Sequence, residues 1–524
     1  MKNKLSIYLI KESIVNKDEI FKDSIELLKE YNSNKQVYFI GSHVHNPTWL
    51  KTFFEIEDSR LLQANSKVVL IIKRTYGTTQ RIFALTFGYA KPLFNEDVIE
   101  EQFGLKIVLN TAKANELRKI SKQNIGGNQK QSQEQMPKTA KISDFGFNIS
   151  SDLMKTVTAS CSDTTFENAI ITGGDIFSIT VERKIDTIEE FLDYCYQKYT
   201  SSSYKDNFEW IDNITAITSK NLIEILNNQV IENIKTNTLE NIWMAVPEVI
   251  KWEQIKCFKY SGSREEYNDI DINDFLTSFD SLKNITMNKI KNKTIRAISA
   301  EDEGHDLYSW SAQKCLIAEI EYDGRSYCLN NNKWYQIDSS FETKIKNEYL
   351  TIPIYEKDLP NYKSNGHEKY SENEYNDDLA QNIDAALIHK VGEIPFGGGK
   401  GNKIEVCDIL TRNKELMHIK KSGGSSLLSH LFNQAAVSGE ALLDTDFREK
   451  YNNKLQEKGY ASYIDNNFKP SDYTIVLGII SKSTEQRPQI PFFSKVAIRY
   501  ATKTLSNLGY NITIKNIYNE EENL

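Results

Sequence analysis

Apolar positions along the chain fall into short runs of two periods, and the runs change character from its start to its end. Residues 5–10 form a continuous apolar run of strand length. In residues 18–31, Ile20, Phe21, Ile25, Leu27 and Leu28 fall on one helical face, so the spacing predicts a helix there. Residues 36–40, 66–72 and 81–87 read as strands, which makes the first part a mixed α/β domain. Residues 123–141, QNIGGNQKQSQEQMPKTAK, hold no large apolar side chain apart from Ile125 and Met136 and read as a linker or loop.

Residues 143–360 alternate strand runs, such as 176–181 and 315–322, with helical stretches at 187–199 and 220–233. Tyr327-Cys328-Leu329, a turn of three asparagines and Trp334-Tyr335-Gln336-Ile337 predict a hairpin. Tyr327, Trp334 and Tyr335, with Arg325, could stack on exposed bases, although aromatics beside a turn more often pack the hairpin itself. Polar residues 361–368 mark a boundary. Beyond them Ser371 opens a helix with Glu374 at the capping-box position, and strands follow at 386–391, 404–410 and 416–421. A helix from Ser426, a strand at 473–480, a helix at 493–508 and a strand at 512–517 complete the order. The expected organisation is an α/β (α+β) multidomain chain: an N-terminal domain at 1–122, a linker at 123–142, a middle domain at 143–360 and a C-terminal domain at 361–524.

Composition narrows the class. A formal net charge of −8 over 524 residues argues against a protein that coats nucleic acid non-specifically, which needs concentrated Lys and Arg. A local basic groove stays compatible with that charge. The six cysteines include no C-x-x-C pair, so neither a zinc knuckle nor a disulfide framework is indicated, and a reducing cytoplasm is the expected location. No stretch has membrane-spanning length, so no membrane association is expected. Gly173-Gly174 and the run from Gly397 to Gly401, which contains Lys400, lack the spacing of a nucleotide-binding P-loop. His43 and His45 have no nearby third ligand and read as loop residues. Phe87-Gly88-Tyr89 and Phe103-Gly104-Leu105 echo each other and read as turns.

Candidate chemistry concentrates in residues 403–438. Asp408 ends one strand run and Lys420 lies in the next, so a carboxylate and a lysine fall on neighbouring strands. That pairing suits a divalent cation held through hard oxygen ligands, with the lysine orienting a water. His418 shares the face of Lys420, because side chains two apart on a strand point the same way, and could serve as ligand or base. Lys421 points to the other face, and Glu405 should face away from Asp408 unless a bulge intervenes.

This segment resembles the PD-(D/E)xK restriction-endonuclease superfamily, in which an Asp closes one strand and Glu-x-Lys or Gln-x-Lys follows on the next. Asp408 and His418-Ile419-Lys420 match those elements, His standing where the superfamily has Glu or Gln. The resemblance implies an αβββαβ core with a mixed sheet, and Mg²⁺ or Mn²⁺ at Asp408 together with an acidic residue from the first helix, Glu374 or Glu372. It also implies a nucleic-acid substrate, DNA before RNA, touched by Lys400, Lys403, Lys421, Ser429 and Gln434. The chain as a whole resembles a sporadically distributed family of bacterial proteins of about this length and of unknown function. The segments that carry this are Phe83 through Tyr89, Tyr204 through Asp212, Trp334 through Asp338, His418 through Lys421, Ser429 through Gln434 and Pro491 through Lys495. That likeness implies a gene associated with defence against foreign DNA, with a homo-oligomeric state or a defence-system partner. Three functions follow as expectations: a metal-dependent nuclease, an inactive nuclease fold that binds or senses nucleic acid, and a structural interaction scaffold.

Overall fold

The computed structural model describes the chain except for residues 1, 23–24, 42–43, 45, 47–49, 51–53, 63–65, 89, 96–97, 125–129, 150–151, 248–249, 251–254, 300–305, 364–370, 384, 389–390, 392–393, 396–402, 461–462, 466 and 521–524. Both His43 and His45, and the glycine run with Lys400, lie outside the described residues. The chain divides into two compact units, Met1–Gln123 with Gln131–Ile211, and Asn124–Lys130 with Asp212–Leu524. Among the described residues no helix is long and apolar enough to cross a membrane.

The first unit is built on ten strands: β1 Asn3–Leu9, β2 Glu26–Asn32, β3 Lys35–Ile40, β4 Lys67–Tyr76, β5 Thr79–Gly88, β6 Leu117–Asn124, β7 Lys130–Ala140, β8 Asp152–Ser160, β9 Ile170–Gly173 and β10 Ile176–Val181. They hydrogen-bond in the order β2-β3-β4-β5-β1-β10-β9-β8-β6-β7. The run LSIYLI explains why β1 is central: a strand buried on both faces cannot alternate with polar residues. Leu5, Ile7 and Leu9 join Phe83, Phe103 and Phe177 in one core, while Tyr8 faces the other side with Ile82 and Phe94. Helix α1 (Phe103–Leu109) packs on the first of these faces at very close range. A Cβ on Gly173 would stand 1.9 Å from the Gly104 carbonyl oxygen, and one on Gly104 would stand 2.1 Å from that of Ile176. The Leu105 amide donates to the Gly174 carbonyl at 2.7 Å. Thus Phe103-Gly104-Leu105 is helix rather than turn, and Gly173-Gly174 is the seat on which that helix rests.

Two elements differ from their sequence reading. In place of a helix over residues 18–31, the chain makes one turn at Lys17–Ile20 and then the exposed edge strand β2. Ile20 and Phe21 are buried, but Leu27 and Leu28 are about half exposed. Pairing with β3 across the two-residue turn Ser33-Asn34 outweighs the helical spacing of those leucines. The polar stretch expected to be a loop contains β7, at the opposite edge of the sheet. Its lack of large apolar residues suits an edge strand, whose outer side stays wet.

In the second unit a five-stranded sheet runs β11-β18-β17-β16-β12, with β11 Ile214–Ala216, β12 Ile242–Met244, β16 Leu316–Tyr322, β17 Arg325–Asn330 and β18 Lys333–Ile337. A separate three-stranded sheet comprises β13 Ile255–Tyr260, β14 Thr294–Ser299 and β15 Asp306–Ser311. The hairpin read from the sequence is β17–β18, turned by Asn331 and Asn332 at φ 49° and 62°. Its Tyr327, Trp334 and Tyr335 are buried, so they form core and not a stacking platform. Helix α2 (Ser339–Leu350) follows.

The last part of this unit is α3 (Glu372–Asn382), a short pair β20 Ile394–Pro395 and β21 Lys403–Ile404, and a mixed sheet β19-β22-β23-β24-β25. The strands of that sheet are Ala386–Leu387, Ile409–Leu410, Glu415–Lys421, Thr474–Ser481 and Asn511–Tyr518. Helices α4 (Ser425–Ala441), α5 (Thr445–Glu457) and α6 (Phe492–Asn507) connect them. β22 and β23 run antiparallel, whereas β23, β24 and β25 run parallel, as connections through helices require. Leu416, Leu477 and Ile479 face α4 and α6 through Leu428, Phe432 and Ile498. On the other face Met417, Ile419 and Val476 pack against Tyr375 and Leu379 of α3. The strand expected over residues 404–410 is split, because residues 405–408 leave the ladder before β22 begins.

Candidate functional site

Asp408 stands just before β22 and is fixed by its backbone on both sides. Its amide donates to the Met417 carbonyl and its carbonyl accepts from the Ile388 amide, each at 2.9 Å. Its Oδ2 accepts from the Ile419 amide at 2.7 Å, which locks the side chain against β23. Burial is the main reason its carboxyl is pushed up to about 7, and the charges of Glu405 and Glu372 add to that. The Ile419 amide and Lys420 pull the other way. Glu405 is thus within electrostatic reach of Asp408, and the break in the strand over residues 405–408 is the interruption under which alternation no longer sets its facing.

Lys420, in β23, meets the first turn of α3. Its Nζ donates to Glu372 Oε2 at 2.8 Å, and Glu372 Oε1 accepts from the Lys421 amide at 3.0 Å. A single carboxylate thus ties the helix start to the end of the strand. Both partners of the ion pair are about a quarter to a third exposed, so it is worth at most about 1 kcal/mol. The significance of the pair is positional: it brings a second carboxylate within electrostatic reach of Asp408.

Of the two glutamates offered by the helix, it is Glu372 that makes this contact, and Glu374 serves the cap. Glu374 Oε2 accepts from the Ser371 amide at 2.6 Å while Ser371 Oγ accepts from the Glu374 amide, a complete capping box. Drawing the third helical residue back to the N-cap leaves the first to point outward. Ser371→Ala is expected to cost about 1 kcal/mol of stability in thermal unfolding, and to loosen Glu372 from Lys420 with it.

The remaining candidates separate. His418 is fully buried, and neither ring nitrogen has a hydrogen-bond partner among the described residues. Burial holds its pKa down at about 3, so it is neutral at any ordinary pH. It shares a face with Lys420, but one residue pair deeper, where Leu416 and Leu477 pack beneath α4, so it is neither ligand nor base for the Asp408 cluster. Lys421 lies on the other face with its Nζ 4.2 Å from the centre of the Tyr362 ring. Ser429 is buried at 5 % exposure and does not face an open surface, whereas Gln434 is half-buried and His430 exposed. Lys403 is part of β21. The structure thus brings together Asp408, Lys420 and Glu372, with Glu405 close by, and leaves His418, Glu374 and Ser429 outside.

Among the described residues no group of three or more His, Cys, Asp or Glu side chains is arranged to hold a metal ion. A cation at Asp408 and Glu372 would rest on two carboxylates and water, the ligand set that Mg²⁺ commonly accepts. The observation that bears on that fit is geometric: Asp408 is held on the Ile419 amide and Glu372 on Lys420 and the Lys421 amide, so two carboxylates are fixed along one stretch of β23.

A family model matches residues 5–518, nearly the whole chain, and it describes a family of unknown function (DUF6119). No curated protein and no solved structure matches the chain.

Proposed function

Because the chain belongs to the DUF6119 family, whose function is unknown, no activity comes to it by descent, and we propose from its own geometry that it is a nucleic-acid-targeting defence protein that cuts phosphodiester bonds with the help of Mg²⁺ or Mn²⁺. The observation that carries this reading is the convergence of Asp408, Glu372 and Lys420 where α3 meets β23. The element order α-β-β-β-α-β, read with the separate pair β20–β21 and α5 as additions and continued by α6 and β25, and the antiparallel-then-parallel sheet support a restriction-endonuclease-like core. In that reading Asp408 and Glu372 would hold the cation, which would supply Lewis-acid polarisation of the scissile phosphate. Lys420 then exchanges Glu372 for the attacking water and keeps that water oriented.

The test is cleavage of duplex DNA, single-stranded DNA, modified DNA and RNA by the purified full chain with Mg²⁺ or Mn²⁺. Asp408→Ala and Lys420→Ala are expected to lower the rate about a hundredfold or more, while Lys421→Ala retains it and all three melt within a few degrees of the parent. Equal rates for Lys420→Ala and Lys421→Ala would reject the assignment.

A second reading is favoured by His418. The superfamily's third site residue is represented here by a side chain sealed in the core, so the protein keeps the fold and binds nucleic acid without hydrolysing it. Binding that survives chelation and Asp408→Ala, with no product from any substrate, selects this reading over the first.

A further inference from the structure

The face of the first sheet that carries Tyr8 and Phe94 is not covered over its whole width. A groove of about 400 Å³ opens on it, within the range of small-molecule sites. Tyr38 of β3 and Ile82 of β5, both buried, give it an apolar floor, and buried Ile20 from the turn before β2 forms part of the wall. At the rim Val15 and Leu27 are 60 % and 50 % exposed, so apolar surface continues from the buried floor out to solvent.

Charge in this groove has one sign. Among the described residues that line it, Lys73 is the only charged side chain, and its ammonium group has no partner among the described residues. Lys73 lies opposite Ile82 in the β4–β5 register, so the two side chains rise from the same face. Its amide donates to the Asn34 carbonyl at 2.8 Å, which sets it level with the residue just before β3, whereas Leu27 lies opposite Tyr38. Lys73 therefore stands four residues, or roughly 13 Å, along β3 from the Leu27–Tyr38 pair. Between these levels the Tyr38 hydroxyl donates to Gln36 Oε1 at 2.7 Å. Burial, and then the charges of Glu30 and Asp18, hold that hydroxyl above the ordinary phenol value, and neither acid lines the groove. An anion is thus favoured at Lys73 and disfavoured toward Tyr38.

We propose that this groove binds a medium-chain fatty acid, its carboxylate on the Lys73 ammonium and its aliphatic chain laid along the apolar floor as far as Leu27. The span from Lys73 to the Leu27–Tyr38 pair suits an extended chain of about eight to ten carbons. Such a chain removes from water the surface that Val15 and Leu27 now expose, and the carboxylate accepts charge-assisted hydrogen bonds from an ammonium group that lacks them. A dicarboxylate fits worse, because its second charge would meet the apolar end. The site belongs to the first unit and does not rest on the nuclease reading of Asp408.

Calorimetric titration of the full chain with hexanoate, octanoate, decanoate and 1-octanol is the measurement. Saturable binding of decanoate is expected, with affinity rising about threefold to fourfold per added methylene from hexanoate to decanoate. Octanoate is expected to bind about tenfold tighter than 1-octanol, which has the same chain and no charge. Lys73→Met should weaken octanoate about tenfold and leave 1-octanol unchanged, while Leu27→Asp should weaken both. Lys73 is half-buried and Leu27 exposed, so both variants are expected to melt with the parent, and Val15→Asp takes the place of Leu27→Asp if the edge strand does not tolerate the charge. Absence of saturable decanoate binding at millimolar concentration overturns the proposal. So do equal affinities for octanoate and 1-octanol, or an octanoate affinity that Lys73→Met leaves unchanged.

Discussion

Gly173→Ala is expected to destabilise the first unit by about 3 kcal/mol and to lower its melting temperature by roughly 6–12 °C. The new methyl group would lie 1.9 Å from the carbonyl oxygen of Gly104, a backbone atom that cannot swing aside as a side chain would. Relief requires lifting α1 off β9, which opens the contacts of Phe103, Ile107 and Val108 with the core and strains the hydrogen bond from Leu105 to Gly174. Gly41→Ala is the control, since a methyl group there meets nothing within 4 Å. Calorimetric melting of the two variants decides the matter, and equal melting temperatures would mean that helix and sheet are not in backbone contact.

His418→Leu is expected to stabilise the protein. At pH 8 the gain is about 1–3 kcal/mol, the cost of burying ring nitrogens that find no partner. Below pH 6.5 it grows by about 1.4 kcal/mol per pH unit. The sign follows from the depressed pKa: between about 3 and 6.5 the unfolded chain takes up a proton that the folded chain refuses, so acid favours unfolding. Above 6.5 the imidazole is neutral in both states and the stability it contributes is complete. Asp408 and Glu319 act in the opposite sense, since their raised pKa values favour the folded state in acid and are lost as pH rises toward 7, so only the difference between variant and parent isolates the histidine. Chemical denaturation from pH 4.5 to 8 gives that difference. A parallel pH profile for the two proteins would show that His418 has a partner in solution, and a more stable variant with impaired function would show that the burial cost is retained for a purpose.

The C-terminal elements were legible because several local signals agree on each of them. Ser371 and Glu374 announce the start of α3, branched residues mark β24 and β25, and Leu428, Leu431 and Phe432 give α4 its buried face. The side of the sheet that a residue faces was legible too, as Lys421 illustrates with its contact to Tyr362. Depth was not. Alternation places His418 and Lys420 on one face but does not say that α4 covers the first and leaves the second at the edge. The capping box hid the choice between two glutamates two residues apart, because the residue with the stronger sequence signal is the one consumed by its own helix. Edge strands β2 and β7 were missed for a related reason: an edge is defined by its neighbour, and the neighbour is not local.

The central place of β1 also sets an order of events during synthesis. Its partners are β5 on one side and β10 on the other, so residues 3–9 emerge before either and keep one edge open until residue 181 has appeared. At 5–20 residues per second that interval lasts roughly 10–35 s, long compared with hairpin formation and local collapse. During it the nascent chain exposes an apolar strand edge that any other strand could join. The first unit therefore closes only when its last strand arrives, and a ribosome stalled before β10 would carry a segment that invites chaperones or aggregation.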